Sequence, residues 1–478
     1  MFKRYQTQKP AATDLAPPAP DEPRATPAPA PAPARKTPAA VSAPAASDDG
    51  SEARRRRLLD LRIKVHQRIL ESLNLAAIET ASEGELRQEI AALSREVLGE
   101  LGIVVNAQEF EQLVAALVDE VVGLGPLEPL LRDPTVTDIL VNTHKQCFVE
   151  RKGKLVLTDV QFKDERHLMR VIDKIVSAVG RRVDESQPWV DARLKDGSRV
   201  NALVPPCAVD GALLSIRKFS KKPIGIDKLI EFGAFSEEMA LYLHAIVSTR
   251  LNVLVSGGTG SGKTTTLNAL SSFISNNERI VTIEDTAELQ LQQIHVGRME
   301  SRPPNIEGKG EISQRDLLKN ALRMRPDRII VGEVRSAEVL DMLQAMNTGH
   351  EGSMTTIHAN APRDSVGRIE NMVAMAGVEL PIKAIRGQIA SAIDAIVQVS
   401  RLSDGSRRMV SIMEITGMEG DVVAMQEVFK FERTSVGEDG TVIGEYVATG
   451  IRSHFADRFK QWGVDLPRDI FDPVRQKR

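Results

Sequence analysis

The stretch that decides the fold is Leu251-Asn-Val-Leu-Val-Ser256, which continues as Gly257-Gly-Thr-Gly-Ser-Gly-Lys-Thr264. The first six residues are typical of a buried strand, and a helical pattern extends to Phe273 after the eight residues 257–264. The next eight fit G-x-x-x-x-G-K-[ST], a loop whose backbone N–H groups, lysine and hydroxyl hold phosphates and Mg²⁺. The sequence therefore predicts a site for ATP and Mg²⁺, formed by Gly258, Thr259, Gly260, Ser261, Gly262, Lys263, Thr264 and Thr265.

Two carboxylates follow other strand-like runs. Glu333 comes just after Arg328-Ile-Ile-Val331, and Glu284 follows Val281-Thr-Ile283. Open α/β sheets bind ligands at the carboxyl ends of their strands, so both side chains are expected at one edge. Hydrolysis needs an acid beside the metal and a group that orients water. We interpret Glu333, with Thr264, as the Mg²⁺ side and Glu284 as the residue that activates water.

Two histidines flank a third strand-like run. His350 precedes Ser353-Met-Thr-Thr-Ile357, and His358 follows it. Their spacing differs from that of a helical zinc pair, and no cysteine lies near them, so we do not expect a metal there. Two interpretations stay open: imidazoles that sense or stabilise the γ-phosphate, or histidines with a structural role.

Composition narrows the classes of protein. A chain of 478 residues exceeds what one core usually supports, so two or three domains are expected. A formal charge of -3 gives no reason to expect binding to nucleic acid. Cys147 and Cys207 are too few for a disulfide framework or a four-cysteine zinc site. Reduced thiols are therefore expected, and with them a cytoplasmic protein. Because the start lacks an apolar signal region and no long apolar run follows, neither export by that route nor a membrane span is expected.

The texture of the sequence changes along the chain. Alternating Ala and Pro predict disorder at the start, and helical periodicity follows, with capping-box spacing at Asn106 and Glu109. Short β-rich runs come next, and then alternating strands and helices of an α/β type. We predict a disordered tail (1–52), a three-helix bundle (53–125), an α+β domain (126–220), a linker (221–234) and the nucleotide-binding domain (235–478).

Four sequence boxes in this order resemble the secretion ATPase superfamily of type II and type IV secretion. They are Gly257–Thr264, Ile283–Leu289, Arg325–Arg335 and Thr348–His358. The residues within the boxes look most like those of the Tad/Flp pilus assembly ATPases, and the ATPases of conjugative type IV secretion come second. The larger branch of pilus and type II ATPases usually has Pro where this chain has Thr286, and carries a four-cysteine metal domain.

The resemblance implies a RecA-like P-loop ATPase domain behind a PAS-like α+β domain. It also implies a homohexameric ring at the cytoplasmic face of the inner membrane, docked on a polytopic platform protein and moving pilin subunits. Arg199 and Arg217 match arginines of the family's N-terminal domain that meet the charge of the phosphoryl group. On sequence alone they could equally be surface arginines, and whether they act within one chain or across two is open. The expected catalytic set is Lys263, Glu284, Glu333, Arg199, Arg217, His350 and His358.

Two other classes of function stay open. One is a ring that moves nucleic acid, since such motors share the same nucleotide-binding core; no strongly basic domain favours it. The other is an ATP-dependent scaffold or switch that barely hydrolyses. Residues 420–478 are assigned no role beyond a polar extension with some β character.

Overall fold

The computed structural model describes residues 65, 68, 83–151, 153–219, 223–305 and 307–473, all of which belong to one compact unit. The predicted tail (1–52) and most of the predicted three-helix bundle before residue 83 lie outside the described residues. Within the described ranges, no helix is both long and apolar enough to span a bilayer.

Two helices open the described chain. Helix α1 spans Glu83–Glu100 and α2 spans Ala107–Val121. The start of α2 is fixed by the capping box predicted from sequence, in which Asn106 and Glu109 each bond the other's backbone N–H. A 3₁₀ turn, Gly125–Leu127, and the short helix α3, Glu128–Arg132, then lead into the first sheet. The three-helix bundle stays a prediction.

The first sheet is antiparallel and, in the described part of the chain, has six strands in the order β3-β2-β1-β6-β5-β4. One face packs against helix α4, Glu165–Ala178, whose Leu168, Ile172 and Ile175 are buried. The resulting core makes this a layered α+β unit; its PAS-like character stays a prediction. The strands are β1 Val136–Thr143, β2 Gln146–Arg151, β3 Lys154–Leu157, β4 Trp189–Arg193, β5 Arg199–Leu203 and β6 Leu213–Arg217.

The opposite face of this sheet carries a charged row. Because side chains alternate across a sheet, residues paired in register share a face. The pairs run from Arg193 to Arg199, then to Arg217, Asp138 and Glu150. Like charges directly opposite each other destabilise a sheet unless they find partners.

The second sheet lies in the predicted nucleotide-binding domain. In the described chain it has nine strands in the order β15-β14-β13-β12-β7-β11-β10-β8-β9; those from β12 to β9 are parallel and the rest antiparallel. Central strands are buried along their whole length because helices cover both faces. The parallel strands are β7 Val253–Gly257, β8 Ile280–Glu284, β9 Val296–Glu300, β10 Arg328–Val331, β11 Met354–Ile357 and β12 Ala395–Arg401.

Seven helices accompany this sheet within the described residues. They are α5 Ile226–Glu231, α6 Glu237–Ser248, α7 Lys263–Ser271, α8 Gln314–Ala321, α9 Glu338–Asn347, α10 Pro362–Met375 and α11 Ile382–Ala392. The predicted linker at 221–234 thus contains a helix, α5, whose Leu229 packs into the core of this domain. A mixed α/β chain consistent with a RecA-like ATPase results; the exact domain boundaries stay predictions.

The C-terminal residues extend the second sheet. Strands β13, Arg407–Glu419, β14, Val422–Val436, and β15, Val442–Ala448, precede helix α12, Ala456–Gln461. Glu414 on β13 is fully buried and accepts hydrogen bonds from the Tyr242 hydroxyl, the Ser453 hydroxyl, the Gln426 amide and the His454 backbone. These bonds fasten the segment after β15 to the core.

Candidate active site

The phosphate loop joins β7 to α7. Gly260 and Gly262 have φ values of +68° and +96°, which glycine adopts without strain. A Cβ on Gly257 would lie 2.4 Å from the carbonyl oxygen of Val399 on the neighbouring strand. The glycines therefore let the loop turn tightly beside β12 and begin helix α7 at Lys263, as the sequence predicted.

Lys263 points into the loop. Its Nζ lies 3.0 Å from the Gly258 carbonyl oxygen and 3.1 Å from Nε2 of His358. Burial lowers the pKa of Lys263, an effect that the nearby Glu333 carboxylate opposes. The ammonium is thus held at the centre of the loop by neutral acceptors that a phosphate oxygen could replace.

Glu333 and His358 lie beside this lysine. Burial, followed by the charge of Lys263, lowers the pKa of His358, which favours a neutral ring whose Nε2 accepts from Lys263. The same Nε2 then has no proton for Glu333 Oε1, 3.1 Å away. The other oxygen, Oε2, accepts from Nε of Arg335 at 2.9 Å.

Glu333 Oε1 is consequently a buried acceptor that has no donor among the described residues. Hydrated Mg²⁺ suits such an oxygen, because Mg²⁺ in nucleotide sites takes one or two carboxylates and phosphates and keeps several waters. The described residues contain no cluster of three or more histidine, cysteine or carboxylate side chains that could hold a metal alone. The residues present therefore fit Mg²⁺ brought in with a nucleotide.

Glu284 is placed differently from its expected role. Its side chain is buried, with 3% of the residue exposed, and Oε2 accepts the backbone N–H groups of Glu288 at 2.8 Å and Leu289 at 2.9 Å. A Cβ on Gly332 would lie 2.9 Å from Glu284 Cγ, so the glycine makes room for it. Burial raises the pKa of Glu284, and the two backbone donors oppose that rise. Glu284 shapes the loop after β8 and does not line the cavity described next.

Glu288 is the carboxylate that reaches this cavity. The cavity, of about 230 Å³, lies between the phosphate loop and the first sheet and is lined by Thr264, Thr265, Glu288, Arg199 and Arg217, among others. Glu288 Oε1 is 3.0 Å from Arg199 Nε, and 27% of its side chain is exposed. A partly exposed carboxylate beside the start of α7 can contact a water molecule next to a bound phosphate.

Both predicted arginines line the cavity within one chain. Arg199 also donates to the Thr286 carbonyl oxygen at 3.0 Å, while Arg217 Nε lies 3.1 Å from Asp138 Oδ1. Arg217 keeps 60% of its side chain exposed. The charged row of the first sheet thus brings two guanidinium groups to the mouth of the predicted phosphate site.

His350 does not join the group. It precedes β11 whereas His358 follows it, and a four-residue strand is about 13 Å long at about 3.3 Å per residue. The neighbouring Glu351 pairs with Arg458 of α12 at 2.9 Å, and the His350 carbonyl oxygen accepts from Ser353. Strand β11 therefore holds the two histidines at its opposite ends, and only His358 lies beside Lys263 within one chain; a shared γ-phosphate role for both stays a prediction.

Three residues with contacts at this site were not assigned a role from sequence. Besides Glu288, they are Arg335, which pairs with Glu333, and Arg407, whose Nε donates to the Gly260 carbonyl oxygen of the phosphate loop at 2.9 Å. Glu288 could have been considered, because it lies four residues after Glu284 in the same sequence box, Ile283–Leu289. For Arg407, 147 residues from the loop, local sequence offered none.

Comparison with known proteins identifies one family. The family described as "Type II/IV secretion system protein" matches residues 120–438. A putative conjugal transfer protein of Mycobacterium tuberculosis is 40% identical over 315 residues, covering 65% of this chain and 89% of that protein. Type IV secretion system protein VirB11 of Bartonella quintana is 30% identical over 318 residues, covering 58% and 88%.

Solved structures include the VirB11 ATPase of the Brucella suis type IV secretion system in complex with sulphate. It is 28% identical, covers 60% of this chain and 92% of its own, and has a TM-score of 0.33. Since the family match spans more than half of the sequence and includes the phosphate loop, Glu284, Glu333 and both histidines, the chain belongs to the type II/IV secretion system protein family.

Proposed function

We propose that this chain hydrolyses ATP to ADP and phosphate and uses the energy as the motor of a Tad/Flp-type pilus assembly system. The observation that carries the enzymatic part is the cavity in which Thr264 of the phosphate loop, Glu288 and Arg199 meet. A nucleotide-binding loop alone would support binding. A carboxylate and guanidinium groups beside it supply what hydrolysis adds.

Each residue has a proposed role. The backbone of Gly258 to Gly262 and the side chain of Lys263 bind the phosphates, and Thr265 extends the same contact. Glu288 orients the attacking water in line with the phosphoryl group, a role that we move to it from Glu284. Arg199 and Arg217 meet the charge that develops on the transferred group, and His358 contacts the γ-phosphate beside Lys263.

Thr264 and Glu333 would hold Mg²⁺, which when bound neutralises phosphate charge and orients the phosphates. The unpartnered Oε1 of Glu333 and the chemistry of the Thr264 hydroxyl support this assignment. Arg335 keeps the other oxygen of Glu333 in place.

The motor part of the proposal concerns assembly. We infer a homohexameric ring in the cytoplasm, associated peripherally with the inner membrane through a polytopic platform protein and acting indirectly on pilin. The pilus assignment is supported by the residues of the boxes, such as Glu284-Asp-Thr-Ala-Glu-Leu289. In a closed ring, Arg217, exposed and at the cavity mouth, is also accessible to a neighbouring subunit.

A second candidate is a motor of conjugative type IV secretion. The relatives favour it, because they include conjugal transfer proteins and VirB11 proteins. A motor that moves nucleic acid directly is the weaker alternative, since a net charge of -3 provides no general attraction to phosphate backbones.

The first test is ATP turnover by the purified full chain with mass photometry on the same sample. Turnover in hexamers, lost in Lys263→Ala, is the expected result; an inactive wild type would overturn the enzymatic proposal. Binding to pilus platform proteins in membranes separates the pilus reading from conjugative secretion. DNA-stimulated turnover with a steep salt dependence would favour a nucleic-acid motor instead.

A further inference from the structure

The loop that carries Glu288 is held from the first sheet by Arg193. This arginine, at the end of β4, donates from one terminal nitrogen to the Ala287 carbonyl oxygen at 2.9 Å and from the other to Glu300 Oε2 at 2.8 Å. Its Nε donates to the Gly197 carbonyl oxygen at 3.2 Å. All three nitrogens of the guanidinium are therefore used, and its plane is fixed.

Glu300 completes the arrangement. The same Oε2 that pairs with Arg193 accepts the Ala287 backbone N–H at 3.1 Å. Both polar backbone groups of Ala287 are thus bonded to two side chains that are bonded to each other. This closed set of bonds leaves residue 287 little freedom to rotate.

The neighbouring peptide groups are fixed as well. Arg199 holds the Thr286 carbonyl oxygen at 3.0 Å, and Glu284 holds the N–H groups of Glu288 and Leu289. With Ala287 held by Arg193 and Glu300, consecutive peptide groups from 286 to 289 have partners. The direction in which the Glu288 side chain leaves the backbone is therefore set by the first sheet as well as by the domain that binds the phosphates.

We propose that Arg193 is a positioning residue for hydrolysis: with Glu300 it fixes Ala287 and so aims the Glu288 carboxylate at the cavity. This inference rests on the proposed function of Glu288. Arg193 is not among the residues that line the cavity, so it acts through Glu288 and not on the nucleotide.

A merely stabilising role fits the contacts less well. About a third of each side chain is exposed, 33% for Arg193 and 38% for Glu300, and exposed ion pairs contribute little to stability. The bonds instead converge on one peptide group, directly before the residue whose position matters. Small misplacements of a reacting group cost large factors in rate, so geometry is the property that such bonds protect.

The test compares Arg193→Gln and Arg193→Lys in the full chain, with Arg182→Gln as the matched control. Arg182 lies in the same domain, has 74% of its side chain exposed and pairs with Asp184. We expect Arg193→Gln to lower kcat about 10- to 100-fold, the scale for a misplaced catalytic group. The KM for ATP should change less than about twofold because binding contacts are intact.

Arg193→Lys should recover part of the lost kcat, since an ammonium can reach one acceptor but lacks the fork that holds both. Arg182→Gln should behave as wild type. Melting temperature and particle mass, measured for every variant, should stay at wild-type values. An unchanged kcat in Arg193→Gln, an equal fall in Arg182→Gln, or a parallel loss of melting temperature or hexamers would overturn the proposal.

Glu288→Gln in the same series separates this inference from the function on which it rests. Inactive Glu288→Gln beside fully active Arg193→Gln removes Arg193 and leaves the role of Glu288 standing. Fully active Glu288→Gln removes both. A cycle with Glu300→Gln adds a check: if Arg193 and Glu300 act as one unit, the double variant is no slower than Arg193→Gln, whereas additive losses contradict the closed set of bonds.

Discussion

Glu284 and Glu288 are joined by a hydrogen bond in which Oε2 of Glu284 accepts the backbone N–H of Glu288 at 2.8 Å. One carboxylate therefore shapes the loop on which the other stands. The buried member is the last residue of β8, and the partly exposed member lies four residues later, at the cavity. Two glutamates that look equivalent in the sequence consequently have different roles.

Substituting each acid by glutamine should separate these roles. Glu288→Gln loses the carboxylate that orients water and should lower kcat about 10²- to 10³-fold, as expected for a lost general base, with ATP binding retained. Glu284→Gln keeps a side-chain oxygen that accepts the two N–H groups and should retain much more activity. Steady-state turnover and equilibrium nucleotide binding check this; the opposite ranking of the two variants would contradict the assignment.

The two histidines should also differ. His358→Ala removes the ring beside Lys263 and should lower kcat/KM about tenfold, which corresponds to about one hydrogen bond or 1.4 kcal/mol. His350→Ala lies at the other edge of the sheet and should leave kcat/KM for a given assembled particle unchanged. Turnover normalised to particle mass measures both. Equal losses in the two variants would show that the length of β11 does not separate their functions.

Asp394 predicts a pH dependence of stability. Burial raises its pKa from 3.8 to about 6, against the Asn252 N–H that bonds its carboxylate. The unfolded chain ionises this group near pH 4 while the folded chain keeps the proton until about pH 6. The contribution of Asp394 to the free energy of unfolding is therefore complete below pH 4. It falls by about 3 kcal/mol in total as the pH rises to about 6.

Asp394→Asn removes this loss. Its melting temperature relative to wild type should rise between pH 4.5 and pH 7 and then level off. Asp421→Asn is the comparison, because the hydrogen bond from Lys383 lowers the pKa of that exposed carboxyl and should give a small trend of opposite sign. A difference that is flat with pH for Asp394→Asn would show that this group is not the source.

A buried ion pair supports the amino end of strand β10. Arg328, with 1% of its side chain exposed, donates from Nε and a terminal nitrogen to the two carboxylate oxygens of Glu278 at 2.8 and 2.9 Å. Glu278→Gln should destabilise the chain by about 3–5 kcal/mol, because the guanidinium stays buried without its counter-charge. Urea unfolding measures the change. Glu307→Gln, at the exposed Lys309–Glu307 pair, should shift stability by less than about 0.5 kcal/mol.

Local patterns predicted the parts of the molecule that local physics determines. The run from Leu251 to Thr264 gave the strand, loop and helix correctly, since buried-strand residues and the glycines of the loop act over a few neighbours. The capping box at Asn106 was predicted for the same reason. The placement of Glu333 beside Lys263 and His358 followed from the rule that parallel strands end at a common edge.

Sequence patterns were insufficient where contacts between distant parts of the chain determine the position of a side chain. Which acid reaches the cavity depends on bonds from Arg199 and Arg193, about 90 residues earlier, to the loop after β8. His350 was grouped with His358 on the family resemblance, which took no account of the length of the strand between the two histidines. The strands after residue 420 have weak alternation, and they are defined by the pairing of β14 with β13 and of β15 with β14.

The bonding of Glu414 bears on the order in which the protein matures on the ribosome. Its carboxylate is fully buried, yet two of its four donors, Ser453 and His454, are translated about forty residues later. A nascent chain that ends between β14 and β15 would have to hide a negative charge that is only half bonded, at a cost of several kcal/mol. We therefore expect the region around β13 to pack fully only after residue 454 has left the exit tunnel.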